Sequence, residues 1–340
     1  MSSSIHSCKQ KTKMSSRTTP DMVPVIDFST QDLKPGSPEW DSVKFRVREA
    51  LEEYGCFEAS FDEVKVLRGA IFGALEELFD LPLPTKQLCV SDKPFRGYFG
   101  SPMGLLESMS VDDAHVAENI EQNLTNILWP QGNVNISKTL ASFTQLASRL
   151  ETTTMRMILE SFGVEKYMDE LVDFTNYQLR TMKYRRPETS DATHGIPAHC
   201  DTNLMTILYQ NDVNGLEIQN KEGEWIDVKL SPNSFVVMIG ETLGLWLNDR
   251  LRSPYHRVTL KGTVGRYSLG LFAKLRGGYL VKTPAELVDD TNPMMFKPFD
   301  YEDFSNFYYA QIAQAALTPL TTSPNALRAR GSDLKSYCTV

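Results

Sequence analysis

His199-Cys200-Asp201-Thr202-Asn203-Leu204-Met205-Thr206-Ile207-Leu208-Tyr209 is the stretch on which the reading of this chain turns. A histidine and an aspartate two residues apart lead into Asn203–Tyr209, an apolar run of strand length and composition. In an extended segment side chains at i and i+2 share a face, so His199 and Asp201 are expected to point one way and Cys200 the other. His256 follows 55 residues after Asp201, beyond three further strand-like runs at Leu216–Ile218, Trp225–Val228 and Phe235–Ile239. A rolled β-sheet can return so distant a residue to the same place. Two imidazoles and one carboxylate can hold a divalent iron on one face and leave the opposite positions open.

Arg266 comes ten residues after His256, and Ser268 two residues later, so this pair also shares a face of an extended strand. Arginine takes a carboxylate through two parallel hydrogen bonds and stays charged at any working pH. The serine hydroxyl adds a neutral donor. Together they suit the far carboxylate of a five-carbon 2-oxo diacid whose other end chelates the metal. Each residue also has an ordinary reading: His199 and His256 as surface or half-buried strand histidines, and Arg266 as a rim arginine bonded to an acidic neighbour. The metal reading rests on all of them occurring together, at these spacings, on strand-like sequence.

These residues resemble the HxD…H…RxS pattern of the plant 2-oxoglutarate- and Fe(II)-dependent dioxygenases. The likeness continues through Val23–Phe28, Ala50–Phe57, Leu78–Lys86, Gly97-Tyr98 and Trp129-Pro130, and runs from about Pro24 to the C-terminus. Within that superfamily, Asn214–Gln219, Gly223–Trp225, Val237–Gly240, Ser253–Val258 and Leu334–Cys338 are most similar to the alkenyl- and hydroxyalkyl-producing dioxygenases of plant specialised metabolism. The resemblance implies a mainly β fold with flanking α, a double-stranded β-helix (jelly roll) core supported by N-terminal and C-terminal helices. It implies His199, Asp201 and His256 as ligands of Fe(II), with Arg266 and Ser268 holding the co-substrate 2-oxoglutarate. O2 would be the oxidant and ascorbate the reductant. The reaction implied is oxidation of an unactivated C–H bond of a small plant metabolite or hormone (hydroxylation, O-demethylation or desaturation), with release of succinate and CO2. An ethylene-forming type of oxidase without 2-oxoglutarate, and a non-catalytic barrel that binds a small ligand, are the alternatives.

Two details qualify the likeness. Relatives carry Asn-x-Tyr before a proline on an early barrel strand, where this chain has Lys183-Tyr184-Arg185-Arg186-Pro187; Tyr184 and Arg186 share a face and can replace those co-substrate contacts. Asp201 is retained, which argues against the halogenases of this type, in which chloride takes the place of the carboxylate. Candidate substrate contacts are Tyr98, Phe99, Met103 and His115 in one long segment, and Phe304, Phe307 and Tyr308 near the C-terminus. For each aromatic the plainer reading is packing between helices, and for His115 a place on the surface.

Composition narrows the partners. The chain has 340 residues, of which 41% are hydrophobic and 23% charged, values ordinary for a globular protein. Its net charge of −8 disfavours nucleic acid, whose phosphates need a basic surface. No apolar run reaches the roughly 20 residues of a membrane span, and none resembles a secretory signal. Five cysteines without a C-x-x-C pair fit a reducing compartment. A cytoplasmic monomer acting on a small molecule is the expectation.

Residues 1–20 carry Lys9, Lys11, Lys13, Arg17 and six serines with no acid, and read as a flexible tail, a plastid transit segment being the alternative. Residues 21–340 read as a single unit: a mostly helical part at 21–173, a jelly-roll core at 174–280 and a C-terminal helical segment at 281–340. Ser37-Pro38 opens a helix whose apolar face is Val43, Val47, Ala50 and Tyr54, closed by Gly55. A second helix runs from Asp62 to Leu81. Residues 91–136 read as irregular, and Ser137 as the cap of a long helix ended by Gly163. Short strands are expected at 178–184, 203–209, 215–219, 224–228, 234–239, 255–259 and 266–273, and a helix at 300–317.

Overall fold

The computed structural model describes residues 22–30, 33–91, 96–101, 105–185, 193–262, 264–316 and 334–338. The N-terminal tail, Met103 and Arg186 lie outside these residues. Twelve strands build two facing sheets: β1 (Val25–Asp27), β2 (Cys56–Ser60), β3 (Gly97–Gly100), β4 (Leu106–Val111), β5 (Thr175–Tyr184), β6 (Thr193–His199), β7 (Met205–Gln210), β8 (Leu216–Gln219), β9 (Trp225–Asp227), β10 (Ser234–Ile239), β11 (His256–Leu260) and β12 (Arg266–Leu275). The larger sheet has the order β1-β2-β10-β7-β12-β5-β4-β3, and the smaller one β6-β11-β8-β9.

Alternation of side chains along the strands divides the interior in two. Leu179, Ile207, Tyr209, Phe235, Leu269 and Leu271 belong to the larger core, which the helices Pro38–Tyr54, Glu63–Asp80 and Val134–Ser161 also enter. Their strand neighbours Met182, Leu208, Val236 and Met238 join Leu216, Ile218, Val258 and Leu260 of the smaller sheet in a second cluster. The inner face between the sheets is therefore the even-numbered one on β5, β7, β10 and β12. The resulting two-sheet core with supporting helices is the jelly-roll architecture anticipated from the sequence.

The helix Pro38–Tyr54 begins as its local signals require. Ser37 Oγ accepts a hydrogen bond from the Trp40 amide at 3.1 Å, and Gly55 closes the helix with φ +69°, where a glycine costs least. A side chain at 55 would also lie 2.3 Å from the Arg252 carbonyl oxygen. The end of this helix thus touches the segment that leads into His256.

Four local expectations change. Residues 91–136 contain β3 and β4, which extend the larger sheet, followed by short helical turns from Ala117 to Leu128, so the segment is structured rather than irregular. Asn133, not Ser137, caps the long helix: its side chain accepts from the Ile136 amide at 3.2 Å. Ser137 sits inside the first turn with its hydroxyl directed to the Asn133 and Val134 carbonyls. A helix at Met168–Phe174 and strand β6 had no counterpart in the sequence reading. Strand β6 holds Gly195 and Pro197, both poor strand formers, and tolerates them because it is an edge strand.

Candidate metal centre

The pairing of β6 with β11 sets two imidazoles side by side. His256 is registered against His199, then Val258 against Ile196 and Thr259 against His194. The register therefore slips by one residue on β6 between each pair, a bulge that turns the strand end inward. The two rings lie 4.3 Å apart between centroids. His199 is the last residue of β6, and Asp201 stands in the loop beyond it. Strand alternation, the expected cause of their convergence, is replaced here by a turn held from below.

That hold comes from Thr206 on β7, whose hydroxyl donates to Asp201 Oδ2 at 2.6 Å and accepts from Asn203 Nδ2 at 2.9 Å. The Asp201 carbonyl takes the Glu241 amide at 2.8 Å. Gly240 packs so closely that a Cβ there would meet the Asn203 carbonyl oxygen at 2.0 Å. Asp201 Oδ1 comes within 3.5 Å of His199 Nε2 and 4.0 Å of His256 Nε2.

One potential ligand atom from each of the three residues lies within 4.8 Å of the others. A divalent ion bound by nitrogen and oxygen at about 2.0–2.2 Å keeps adjacent ligands about 3 Å apart, so closing on an ion shortens the two carboxylate–imidazole separations by up to about 1 Å and the widest separation by up to about 1.8 Å. Both histidines are oriented alike: Nδ1 of His199 faces the Pro197 carbonyl oxygen at 2.8 Å, and Nδ1 of His256 faces that of Pro254 at 3.1 Å. With Nδ1–H donated to a carbonyl, Nε2 keeps its lone pair for a metal.

The charges agree with a metal cradle. Burial opposes ionisation of Asp201, yet the neighbouring His256 and the hydrogen bonds from His199 and Thr206 outweigh it and hold the carboxyl well below the usual range. Burial and the adjacent His199 push His256 down to about 4, so this imidazole is neutral at physiological pH. Burial works against a charge on His199 too, but its contact with Asp201 raises it above the ordinary histidine value. The His199 side chain is 35% exposed, which leaves the cluster accessible.

Arg266 begins β12 on the inner face and is 1% exposed. Its guanidinium donates to Gln210 Oε1 from Nη2 at 2.8 Å and from Nε at 3.3 Å, and to Ser268 Oγ from Nη1 at 3.2 Å. The Tyr184 ring lies 4.8 Å away, on the paired residue of β5. No carboxylate among the described residues forms an ion pair with Arg266, so the acidic neighbour of the ordinary reading is missing. A buried cation lined by neutral groups is a fit for an incoming carboxylate.

The remaining sequence candidates separate. Phe99 packs against the cluster between the sheets. Tyr98, its neighbour on β3, points the opposite way: its hydroxyl donates to Glu107 Oε2 at 3.1 Å and its ring packs on the helix-side core. His115 meets the Tyr177 ring edge-on at 5.4 Å, and Tyr177 packs against that same outer core. Phe304 is 0% exposed, enclosed by Phe299, Tyr308 and Tyr337, while Phe307 packs on Tyr337. In this structure Tyr98, His115, Phe304 and Tyr308 make these packing contacts, and Tyr98 lies on the opposite face of β3 from Phe99. A groove of about 940 Å³ lined partly by Arg68, Phe72, Lys183 and Tyr267 opens on the helix side of the sheet, away from the metal-ligating atoms.

Residues the sequence reading passed over are Thr206, Gln210, Pro197 and Pro254. The prolines did leave a signal, since Pro-x-His occurs at both histidines. Thr206 and Gln210 left none beyond being polar in or beside an apolar strand.

The chain has known counterparts along its length. A model of the 2OG-Fe(II) oxygenase superfamily matches residues 174–274, and a model described as non-haem dioxygenase in morphine synthesis N-terminal matches residues 23–125. Over 305 residues the chain is 48% identical to a probable 2-oxoglutarate-dependent dioxygenase of Arabidopsis thaliana, AOP1.2, covering 87% of this chain and 94% of the relative. The crystal structure of a rice dioxygenase for auxin oxidation superposes with a TM-score of 0.73 at 26% identity, over 86% of this chain and 95% of that one. An Arabidopsis thaliana dioxygenase for auxin oxidation, solved with 2-oxoglutarate, gives a TM-score of 0.72 at 23% identity over 80% and 100% of the two chains; at that identity the likeness speaks for the fold.

Proposed function

The chain belongs to the 2OG-Fe(II) oxygenase superfamily, and from that premise we propose that it oxidises an unactivated C–H bond of a small plant specialised metabolite or hormone, consuming 2-oxoglutarate and releasing succinate and CO2. Hydroxylation, O-demethylation and desaturation are the outcomes open to such a centre. The observation that carries the reading is the convergence of His199, Asp201 and His256 within 4.8 Å.

The residues have separate tasks in this mechanism. His199, Asp201 and His256 hold the metal, with the Pro197 and Pro254 carbonyls fixing which imidazole nitrogen faces it. A ferrous ion held there supplies the redox chemistry that couples decarboxylation of the oxo acid to oxidation of a C–H bond. Arg266 and Ser268 bind the distal carboxylate of 2-oxoglutarate, Gln210 keeps the guanidinium in place, and Tyr184 packs beside it. Thr206 orients Asp201. The apolar wall of Leu208, Val236, Met238 and Val258 limits water at the reacting centre.

We read residues 21–340 as one unit, acting as a cytoplasmic monomer with ascorbate as reductant. No helix among the described residues is long and apolar enough to cross a membrane. The test is to supply Fe(II), 2-oxoglutarate, O2 and fractionated plant metabolites and to measure succinate. Substrate-dependent succinate release is expected. Turnover of a substrate without succinate would instead place the chain with the ethylene-forming type of oxidase. Anaerobic Fe(II) with 2-oxoglutarate should give a weak visible charge-transfer band, and a silent spectrum would favour a ligand-binding barrel without catalysis.

A further inference from the structure

Leu334-Lys335-Ser336-Tyr337-Cys338 has no part in the mechanism above, yet the fold ties this stretch to the metal centre. It forms a short helix that packs on the helix Glu241–Trp246. Leu334 and Cys338, four residues apart and so on one face, are 0% and 1% exposed and join the helix-side core. The Tyr337 ring rests against Phe304 and Phe307 at 5.5 and 5.0 Å. The Cys338 carbonyl accepts from the Lys297 amide at 2.8 Å, and Lys335 Nζ donates to Asp249 Oδ1 at 2.6 Å.

The helix Glu241–Trp246 with its flanks carries two of the three metal-ligating residues. At its start, the loop that bears Asp201 is held carbonyl by carbonyl. The Gly240 amide donates to Leu204 at 2.9 Å, that of Glu241 to Asp201 at 2.8 Å and that of Thr242 to Asn203 at 3.2 Å, while Thr242 Oγ1 donates to Thr202 at 2.5 Å. Cys338 lies close to this start: after burial, the charge of Glu241 helps to push its thiol up to about 12. At the other end the chain turns through Asn248 and Asp249, both left-handed with φ +56° and +60°, a conformation that Asn and Asp tolerate better than other non-glycine residues. Asn248 Nδ2 donates to the Pro293 carbonyl and its Oδ1 accepts from the Met295 amide, each at 3.1 Å. The Asp249 carboxylate, 10% exposed, takes Lys335 on one oxygen and faces Arg252 Nε at 3.5 Å with the other. The chain then runs straight to the metal centre. The Ser253 carbonyl accepts from Cys200 Sγ at 3.7 Å, and the Pro254 carbonyl faces His256 Nδ1.

We propose that docking of the helix Leu334–Cys338 sets the metal affinity of the centre, with Leu334 and Lys335 as positioning residues. Docked, the helix fixes the Asn248-Asp249 turn and the first turn of Glu241–Trp246, and through them His256 and Asp201. Undocked, both segments have to be ordered as the metal binds, and that entropic cost is subtracted from the affinity. The proposal rests on the metal reading of His199, Asp201 and His256 and adds a control on it.

Cobalt(II) titration of the metal-free full chain, paired with thiol labelling resolved by peptide mass, tests it. Cys338 reports on docking, and Cys56, 0% exposed in the cluster between the sheets, reports on the fold as a whole. Leu334→Asp places a carboxylate where an apolar side chain is fully enclosed. Cys338 should then label at least tenfold faster while Cys56 stays protected, and cobalt(II) should bind about tenfold more weakly. Lys335→Met removes only a half-exposed ion pair and should weaken cobalt(II) about three- to fivefold, with Lys335→Arg close to the native value. A Leu334→Asp chain that exposes Cys338 and still binds cobalt(II) within twofold of the native protein would overturn the proposal. So would equal affinities for Lys335→Met and the native protein, or equal losses in Lys335→Met and Lys335→Arg, whether or not Leu334→Asp folds. A native protein that takes up no cobalt(II) would overturn the metal reading itself and this proposal with it.

Discussion

Replacing Thr206 with valine removes a hydroxyl while keeping the side chain's shape and its suitability for a strand. Thr206 is 1% exposed in a central strand between β10 and β12, so water cannot take over its role. Two hydrogen bonds disappear: the one donated to Asp201 Oδ2 at 2.6 Å and the one accepted from Asn203 Nδ2 at 2.9 Å. Asn203 retains the Met205 carbonyl at 2.9 Å, which limits the damage to the loop. The bond to the charged carboxylate is the larger loss, about 1.5–3 kcal/mol. Were all of it felt in metal binding, affinity would fall about 10- to 100-fold, the range typical for partners of metal ligands. Cobalt(II) or zinc(II) titration of metal-free protein measures this directly, with Thr206→Ser as the control that keeps the hydroxyl. The expected result is a clear loss for valine, near-native affinity for serine and unchanged circular dichroism for both. A valine variant that binds metal within twofold of the native protein would refute the idea that Thr206 holds Asp201 in place.

Arg266→Lys should weaken 2-oxoglutarate by about 10- to 100-fold in Kd, because an ammonium cannot present a planar fork while also keeping Gln210 and Ser268; metal affinity measured in the same protein should not change. Glu151, 3% exposed, accepts from Tyr177 Oη at 2.8 Å, and burial raises its carboxyl to about 7 from an ordinary 4.5. The folded state therefore keeps a proton that the unfolded chain releases, and stability falls as pH rises from about 4.5 to 7. Glu151→Gln should remove that slope and stabilise the protein by up to about 3.5 kcal/mol at pH 8, at roughly 1.4 kcal/mol per pKa unit. Parallel denaturation profiles for the two proteins across this window would count against it.

Much of this fold could be read from local signals, because local chemistry sets those features. The helix Pro38–Tyr54 starts and stops where Ser37, Pro38 and Gly55 place it, and strand β10 coincides with its apolar run. The three residues that converge, His199, Asp201 and His256, were legible as a candidate set because their spacing and type survive without knowledge of the backbone. Strand β6 was not, since Gly195 and Pro197 disguise an edge strand and its bulges arise only from pairing with β11. Strands β3 and β4 were hidden for a related reason: Leu106–Val111 breaks strand alternation at Glu107-Ser108 although every residue is buried, and Glu107 is buried through Lys86 and Arg185, which come from elsewhere in the chain. Tyr98 and Phe99 show the same limit at single-residue scale, because only registration against Met109 and Ser108 decides which of the two looks inward.

The first part of the chain brackets the larger sheet: β1 and β2 form one border and β3 and β4 the other, with the strands of the second part between them. The two segments matched by separate family models are consequently not modules that can be traded like beads on a string. A chimera that takes residues 23–125 from a relative must satisfy both seams at once, β2 on β10 and β4 on β5. Gly55, wedged against Arg252 and Pro254, makes the first seam unforgiving. Drift in one portion of such a chain is answerable to the other, so new specificities have to arise by changing the lining of the sheet and not by exchanging its frame.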